Sequence, residues 1–361
     1  MTVLGMMSGT STDGVDAAVL VTDGQSITAF GPRLFRAYTD MERSALRAAV
    51  AEAPTLTDRA ERPPALAKAE RIVTDAHAAA AELLLRQNPA MKIELVGFHG
   101  QTVFHAPERG MTVQIGDGPA LAKHLGVPVV HDLRANDVAA GGQGAPLVPV
   151  YHRALFVRTR FSGSMAIVNI GGVANITRIG ADGSLAAGDT GPGNALIDDF
   201  VRARTGRAMD AGGTLAAAGR VDAAALDALL ASPWFARPFP KSLDRNAFSA
   251  APVADLSTED GAATLAAFTS RTIVKGIVMA GGADRVVVAG GGASNPVLMH
   301  NLAAEAGVPV ASAADLGWSP DFLEAEAFAF LAVRSLRGLP LTFPGTTGVP
   351  QPTTGGLVAR P

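Results

Sequence analysis

Apolar residues along this chain follow two rhythms. Short runs at Val3-Leu4-Gly5-Met6-Met7, Val15 to Val21 and Ser26 to Phe35 carry the patterning of strands. The same patterning returns at Ser164 to Ile170, Val173 to Ile179 and Leu185 to Gly188. In each region a glycine-containing loop separates the first two runs. An Asp-Gly pair, Asp23-Gly24 or Asp182-Gly183, separates the next two and signals a hairpin. The repeated plan predicts an internally duplicated β-meander. Helical spacing covers Met41 to Ala53, Pro64 to Gln87, Pro119 to Leu125, Ala223 to Leu230, Val297 to Ala306 and Leu323 to Arg337. Ser257-Thr258-Glu259-Asp260 resembles a capping box opening a long helix to Met279. Further strands are expected at Ile93 to Phe98, Met111 to Ile115, Val127 to Val130, Arg285 to Ala289 and Val308 to Ala311.

Helices alternating with strands in both halves indicate α/β architecture. The loop Ala139 to Pro146 carries three glycines and a proline and is the expected boundary. It divides the chain into a domain over 1–135 and a second over 136–339. The Pro/Gly/Thr-rich tail, 340–361, is expected to pack back on the first as an extended strip. A length of 361 residues suits two domains, and 48% hydrophobic residues supply a substantial core.

Charge and cysteine usage narrow the function classes. A net charge of −3 without a basic tail or stripe weighs against nucleic acid as the main partner. Zero cysteines exclude disulfides and thiolate metal sites and fit a reducing, cytoplasmic setting. The N-terminus lacks a basic region followed by a long apolar stretch, so no signal peptide is expected. Uncharged Leu339 to Ala359 is too rich in Pro, Gly and Thr for a membrane helix.

Most of the 40 glycines gather at strand ends, where candidate chemistry lies. Gly188-Asp189-Thr190-Gly191-Pro192-Gly193-Asn194 reads as a turn running into a helix. Its glycines let backbone N–H groups approach an anion, and the helix start favours negative charge. Asp189, a poor phosphate ligand, then needs another task, as base or metal ligand. Ser8-Gly9-Thr10-Ser11-Thr12-Asp13-Gly14 offers amides, hydroxyls and a carboxylate suited to phosphate and Mg²⁺. It lacks the lysine and following helix of a Walker loop. We read these two loops as equivalents in the two repeats, together forming a nucleotide clamp. Gly290-Gly291-Gly292-Ala293-Ser294-Asn295 would let a base or ribose lie against the backbone, or else serves close helix–strand packing. Gly97-Phe98-His99-Gly100-Gln101-Thr102, Gln114-Ile115-Gly116-Asp117-Gly118 and Asp132-Leu133-Arg134 close three strands of the first half. Their His, Gln and Arg groups could bind a polar, anionic small molecule.

Taken in order, these segments resemble the anhydro-N-acetylmuramic acid kinase family over essentially the whole chain. The match begins at Met7 to Asp16 and continues through Gly97 to His105, Gln114 to Gly118, Asp132 to Arg134 and Ala139 to Pro149. It then takes in Asn169 to Thr177, Asp189 to Asn194, Gly290 to Asn295 and Glu324-Ala325. The resemblance implies the two-domain fold of hexokinase, actin and the heat-shock chaperone ATPase. It implies a cytoplasmic homodimer that uses ATP with Mg²⁺ to convert 1,6-anhydro-N-acetylmuramic acid to N-acetylmuramic acid 6-phosphate in peptidoglycan recycling.

Carried onto this chain, Gly9, Thr10, Ser11, Thr12, Asp13, Gly14, Val15 and Asp16 would bind ATP phosphates, with Asp13 at the metal. Gly191, Gly193 and Asn194 would join them, and Gly290, Gly291, Gly292 and Asn295 would lie under the adenosine. Asp189 would be the base that activates water, assisted by Glu324. His99, Gln114 and Arg134 would contact the sugar. The family's Ser-Thr-Gly-Arg pattern is altered here to Ser242-Leu243-Asp244-Arg245, which puts the local loop shape in question while keeping Lys241 and Arg245. An ordinary hexose or amino-sugar kinase of the same fold is the alternative reading.

Overall fold

The computed structural model describes residues 1–361, which form two units: Met1–Arg158 with Phe322–Pro361, and Thr159–Asp321. In the first unit β1 (Thr2–Ser8), β2 (Gly14–Thr22) and β3 (Ile27–Ala37) make an antiparallel meander. Helices α1 (Asp40–Glu52) and α2 (Pro64–Gln87) follow, α1 opening on a Thr39–Glu42 capping box. Next come β4 (Leu95–Ala106), β5 (Met111–Ile115), α3 (Gly118–Leu125), β6 (Val129–His131), α4 (Ala135–Ala139) and α5 (Pro149–Thr159). β4 lies parallel to β1 and β6 parallel to β4, giving the order β6-β4-β1-β2-β3, with β5 antiparallel to the far end of β4.

The second unit repeats this plan. β7 (Met165–Ile170), β8 (Val173–Ile179) and β9 (Leu185–Pro192) form its meander. They are followed by α6 (Asn194–Thr205), α7 (Thr214–Ala218), α8 (Ala223–Leu230), α9 (Thr258–Met279), β10 (Arg285–Ala289), α10 (Pro296–Ala306) and β11 (Val310–Ser312). The order β11-β10-β7-β8-β9 has the same strand senses as its counterpart in the first unit. The duplication read from the sequence is therefore present in the topology. The chain ends in α11 (Leu323–Leu336), α12 (Pro344–Thr347) and β12 (Leu357–Ala359), and β12 pairs antiparallel with β6.

Alternation along the strands gives each sheet two distinct faces. In the first unit Leu4, Met6, Val96 and Phe98 join one core with α1 and α2 residues such as Leu46, Val73 and Leu84. The intervening positions Gly5 and Gly97 face α11. A Cβ on Gly5 would run into the carbonyl oxygen of Ala325, and one on Gly97 into that of Phe328. Two glycines thus let the helix backbone lie directly on the strands.

Three expectations are corrected. The boundary falls at Arg158/Thr159 with a return at Phe322, not at 135/136 and 339/340. The glycine loop after α4 belongs to the first unit because its polar groups are tied there. Gly144 N–H donates to Asp137 Oδ2 (2.6 Å), and Thr347 Oγ1 donates to Asp137 Oδ1 (2.7 Å). α11 belongs to the first unit for the glycine contacts just described. Second, β4 does not stop at Phe98 but runs on to Ala106, because the His99-Gly100 step is absorbed as a bulge with Gly100 at φ 69°. Third, β9 likewise runs through Gly188 to Pro192, with Thr190 as the extra residue opposite β8.

Replacing Gly97 by Ala should destabilise the first unit by about 3 kcal/mol, through overpacking against a backbone that cannot yield. Urea denaturation followed by far-ultraviolet circular dichroism would measure this; a change below about 0.5 kcal/mol would contradict the close approach.

Candidate active site

The loop 9–13 joins β1 to β2 and starts from a fixed base. Tyr38 OH donates to Ser8 Oγ (3.0 Å), and Ser8 Oγ donates to Gln101 Oε1 (2.5 Å), all three groups being buried. Burial drives the Tyr38 phenol up to about 12, so it remains a donor. Above this base, Thr10, Ser11 and Asp13 are exposed, while Thr12 is buried at φ 53°, a left-handed conformation unusual for a β-branched residue. Ser11 Oγ donates to Asp13 Oδ1 at 2.8 Å. Nowhere does the chain gather three or more His, Cys, Asp or Glu side chains around a cation position. The single exposed Asp13 carboxylate fits Mg²⁺ that is held chiefly by phosphates and water. Val15 is wholly buried in the core, so its expected contact with nucleotide is corrected: its side chain belongs to the core shared with α1 and α2.

Beyond the C-terminal end of β6, Arg134 is held by two partners. Its Nε–H donates to His99 Nε2 (2.9 Å) and its Nη1 to the carbonyl of Gly144 (2.9 Å). His99 Nδ1 lies 2.9 Å from the Gly100 carbonyl, and its ring packs on Phe328 at 4.5 Å. A ring accepting at Nε2 must carry its proton on Nδ1 and be neutral. Burial and the adjacent Arg134 charge both hold the His99 pKa well below its usual value, in agreement. Both ring nitrogens are thus engaged, and His99 orients Arg134 instead of contacting a sugar directly. Gln114 is also committed: its Nε2 donates to Thr102 Oγ1 (3.1 Å) and Thr112 Oγ1 (2.8 Å), while Oε1 is enclosed without a partner.

Glu324 stands in the first turn of α11, where a carboxylate meets the positive helix end. Its surface is open to solvent, yet it sits in a recess crowded by protein, which raises its pKa, while the Arg134 guanidinium draws it down. Two residues further, Glu326 is fully buried and answered from two sides. Arg33 Nη2 lies 2.7 Å from Oε1, and Tyr151 OH donates to Oε2 at 2.7 Å. No local pattern announces this triad, because Arg33 and Tyr151 lie 293 and 175 positions from Glu326 in the chain.

In the second unit Asp189 lies on β9, beside the bulge. Its Oδ2 accepts from the Leu243 N–H (2.7 Å), and its own N–H donates to the Lys241 carbonyl (2.8 Å). Burial raises the Asp189 pKa to about 6, against the lowering effects of the Leu243 amide and the Lys241 charge. Gly188 makes room for the 239–243 loop, since a Cβ there would meet Phe239 Cδ1 at 2.7 Å and Lys241 O at 2.8 Å. Arg245, by contrast, pairs with Asp199 at 3.2 Å on an exposed surface.

The expected anion site at Gly191, Gly193 and Asn194 is corrected. The N–H groups of Gly193 and Ala195 donate to the Gly172 carbonyl (3.0 and 3.3 Å), and that of Asn194 to the Gly171 carbonyl (2.7 Å). Asn194 Nδ2 donates to the Ile170 carbonyl (3.1 Å), and Gly191 lies against Thr272. These donors are already used. The topological partner of the 9–13 loop is instead the turn Gly171-Gly172, which joins β7 to β8 as 9–13 joins β1 to β2. Gly172 is exposed there. The sequence carries the signal, since both loops occupy the first position of the repeated plan. Of the 290–295 segment, Gly291 is exposed, whereas Gly292 is packed against Ile170 and Asn295 Oδ1 caps α10 through Val297 and Leu298. Packing and helix capping account for those two.

The family model for anhydro-N-acetylmuramic acid kinase matches residues 1–360. The chain is 54% identical over 379 aligned positions to the anhydro-N-acetylmuramic acid kinase of Methylobacterium nodulans, covering 100% of both chains. It is 55% identical over 366 positions to that of Rhodopseudomonas palustris (strain BisB18), again with 100% coverage of both. Among solved structures it is similar to a ROK family glucokinase from Streptomyces griseus in complex with glucose and AMPPNP. There the TM-score is 0.44 and the identity 12%, over 92% of this chain and 99% of that one.

The raised Asp189 pKa has a consequence for stability. A carboxyl whose folded pKa exceeds its unfolded value contributes stability below about pH 4 that is lost as pH rises through about 6. Asp189→Asn should therefore stabilise the second unit at pH 8 by up to about 3 kcal/mol, a gain that closes toward pH 4. Thermal melts across this range test the sign; a variant less stable than the parent at pH 8 would contradict it.

Proposed function

Because the chain belongs to the anhydro-N-acetylmuramic acid kinase family, we propose that it opens the 1,6-anhydro bridge of 1,6-anhydro-N-acetylmuramic acid with water and phosphorylates O6 from ATP. The observation that carries the reading is the state of Asp189. One of its oxygens is pinned by a backbone amide, the other makes no hydrogen bond to the protein, and its pKa of about 6 suits a base at neutral pH.

The 1,6-anhydro bridge leaves no free 6-hydroxyl to phosphorylate. Asp189 takes a proton from water as the water oxygen bonds to the anomeric carbon. The bond from that carbon to O6 breaks, and O6 bonds to the γ-phosphorus as the bond to the leaving ADP oxygen breaks. N-acetylmuramic acid 6-phosphate and ADP result, and Asp189 returns its proton to solvent. Arg134 binds the lactyl carboxylate, its orientation fixed by His99 and Gly144. Glu324 holds a sugar hydroxyl or the water. In the first unit the exposed Thr10 and Ser11 bind phosphate, and in the second the Gly171-Gly172 turn is the corresponding phosphate contact, with Gly291 by the adenosine. Asp13 would hold Mg²⁺, which supplies charge neutralisation on the phosphates. The reading includes a cytoplasmic homodimer acting in peptidoglycan recycling. No helix is long and apolar enough to cross a membrane.

The pH profile of kcat/KM should show an acidic limb near pH 6, with activity lost as Asp189 protonates. Asp189→Asn should lower turnover by at least about 10³-fold while ATP still binds. Turnover in oxygen-18 water should place the label at the anomeric hydroxyl; label-free N-acetylmuramic acid 6-phosphate would overturn the ring-opening step. Arg134→Ala should raise KM for the sugar by about 10²-fold and leave KM for ATP within about twofold. Equal effects on both would remove Arg134 from the sugar side.

A further inference from the structure

We propose that Lys241 is a positioning residue for Asp189, clamping the 239–243 loop whose backbone aims and tunes that carboxylate. The inference rests on the reading of Asp189 as the base. It gives Lys241 a role different from the direct phosphate contact that a lysine near a kinase site suggests.

The geometry carries it. The Lys241 ammonium lies 4.3 Å from the Trp234 ring centre and 5.2 Å from that of Phe239. It also lies 3.5 and 3.3 Å from the carbonyls of Trp234 and Phe235. Those carbonyls belong to the short 3-10 turn Pro233–Ala236. Trp234 engages the loop a second time, its Nε1–H donating to the Ser242 carbonyl at 3.3 Å. One indole therefore grips the ammonium by its face and the backbone by its edge. Immediately beside the two grips, the Lys241 carbonyl accepts from Asp189 N–H and the Leu243 N–H donates to Asp189 Oδ2. The ammonium is turned toward aromatic faces and carbonyls, and the loop's hold on Asp189 is entirely main-chain. Side chains at 243 and 244 are thus free to differ from the family pattern without loss of that hold.

The charges around the pair are few. Lys275 and Arg237 face Lys241, and Lys241 is the charged group that acts on Asp189. Its positive charge favours ionised Asp189, so removing it should move the acidic limb upward.

The test is Lys241→Met, with Lys241→Gln as a second neutral variant that keeps a polar group toward the two carbonyls. In each, the acidic limb of kcat/KM should move up from about 6 by roughly half to one pH unit, with KM for ATP within about twofold. Lys241→Arg should restore the parent limb. The Asp189 carboxyl is also followed directly by carbon-13 NMR titration, assigned by its loss in Asp189→Asn, and should shift by the same amount. Limb and titration unmoved in both neutral variants would overturn the clamp. So would a KM for ATP raised about 10-fold or more with the titration unchanged, which marks Lys241 as a phosphate ligand. Because the NMR titration does not depend on turnover, a failed base assignment, seen as an active Asp189→Asn, is distinguished from a failed clamp.

Discussion

The close backbone approach of α11 to β1 and β4 constrains most of what the first unit presents. Gly5 and Gly97 remove the side chains that would otherwise hold a helix at the usual spacing. The helix then delivers its buried charges deep into the unit. Glu326 meets Arg33 from β3 and Tyr151 from α5, and Arg334 meets the carbonyls of Gly24 and Pro340, both at 2.7 Å. A buried carboxylate left without these partners would be strongly destabilising, so the ion pair and hydroxyl fix where the helix stops along its axis. Glu324, two residues before Glu326, inherits that placement. The position of a candidate sugar contact is thus set by two glycines and an arginine remote from it in sequence, acting through Glu326.

In the second unit the corresponding constraint is a carboxylate on a bulged strand, held by main chain. A side-chain donor to Asp189 would tie its state to the identity of one residue. An amide donor ties it only to the path of the loop. This explains how Leu243-Asp244 can stand where the family pattern carries Thr-Gly. What the path needs is Gly188, to let the loop come down on β9, and the aromatic pair Trp234 and Phe239 beside it.

Much of this is legible in the sequence, and the limits have a physical pattern. The meander, its duplication and helices such as Pro64–Gln87 follow from local periodicity and turn chemistry, which the chain displays within a few residues. The role proposed for Asp189 comes from the family resemblance. The glycines mislead. Gly100 and Gly188 look like strand ends, yet each sits within a strand, at a bulge or under a crossing loop. Gly191 to Asn194 looks like an anion loop, yet its donors serve the Gly171-Gly172 turn. The glycines at 141, 142 and 144 look like a domain boundary and fail for the same reason. Asp137 and Thr347, 210 positions apart, anchor that loop within one unit. Glycine marks a place where backbone comes close to something, and only long-range structure says to what.

The two units also differ in how they treat ionisable groups, and the difference suits the tasks that the proposed function gives them. In the first unit, Arg134 is kept charged and still, because a guanidinium does not lose its proton and a neutral imidazole offers it an acceptor without competing charge. Binding an anion needs a constant charge in a fixed direction. In the second unit, Asp189 is kept partly desolvated, with one oxygen unpartnered, at a cost to folding near neutral pH. A base must change its charge during each turnover, so full satisfaction by hydrogen bonds would hold it ionised and weaken it as a proton acceptor. One amide and one nearby lysine are a compromise between orientation and basicity. A second amide on the free oxygen would improve stability and, on the proposed function, weaken the base.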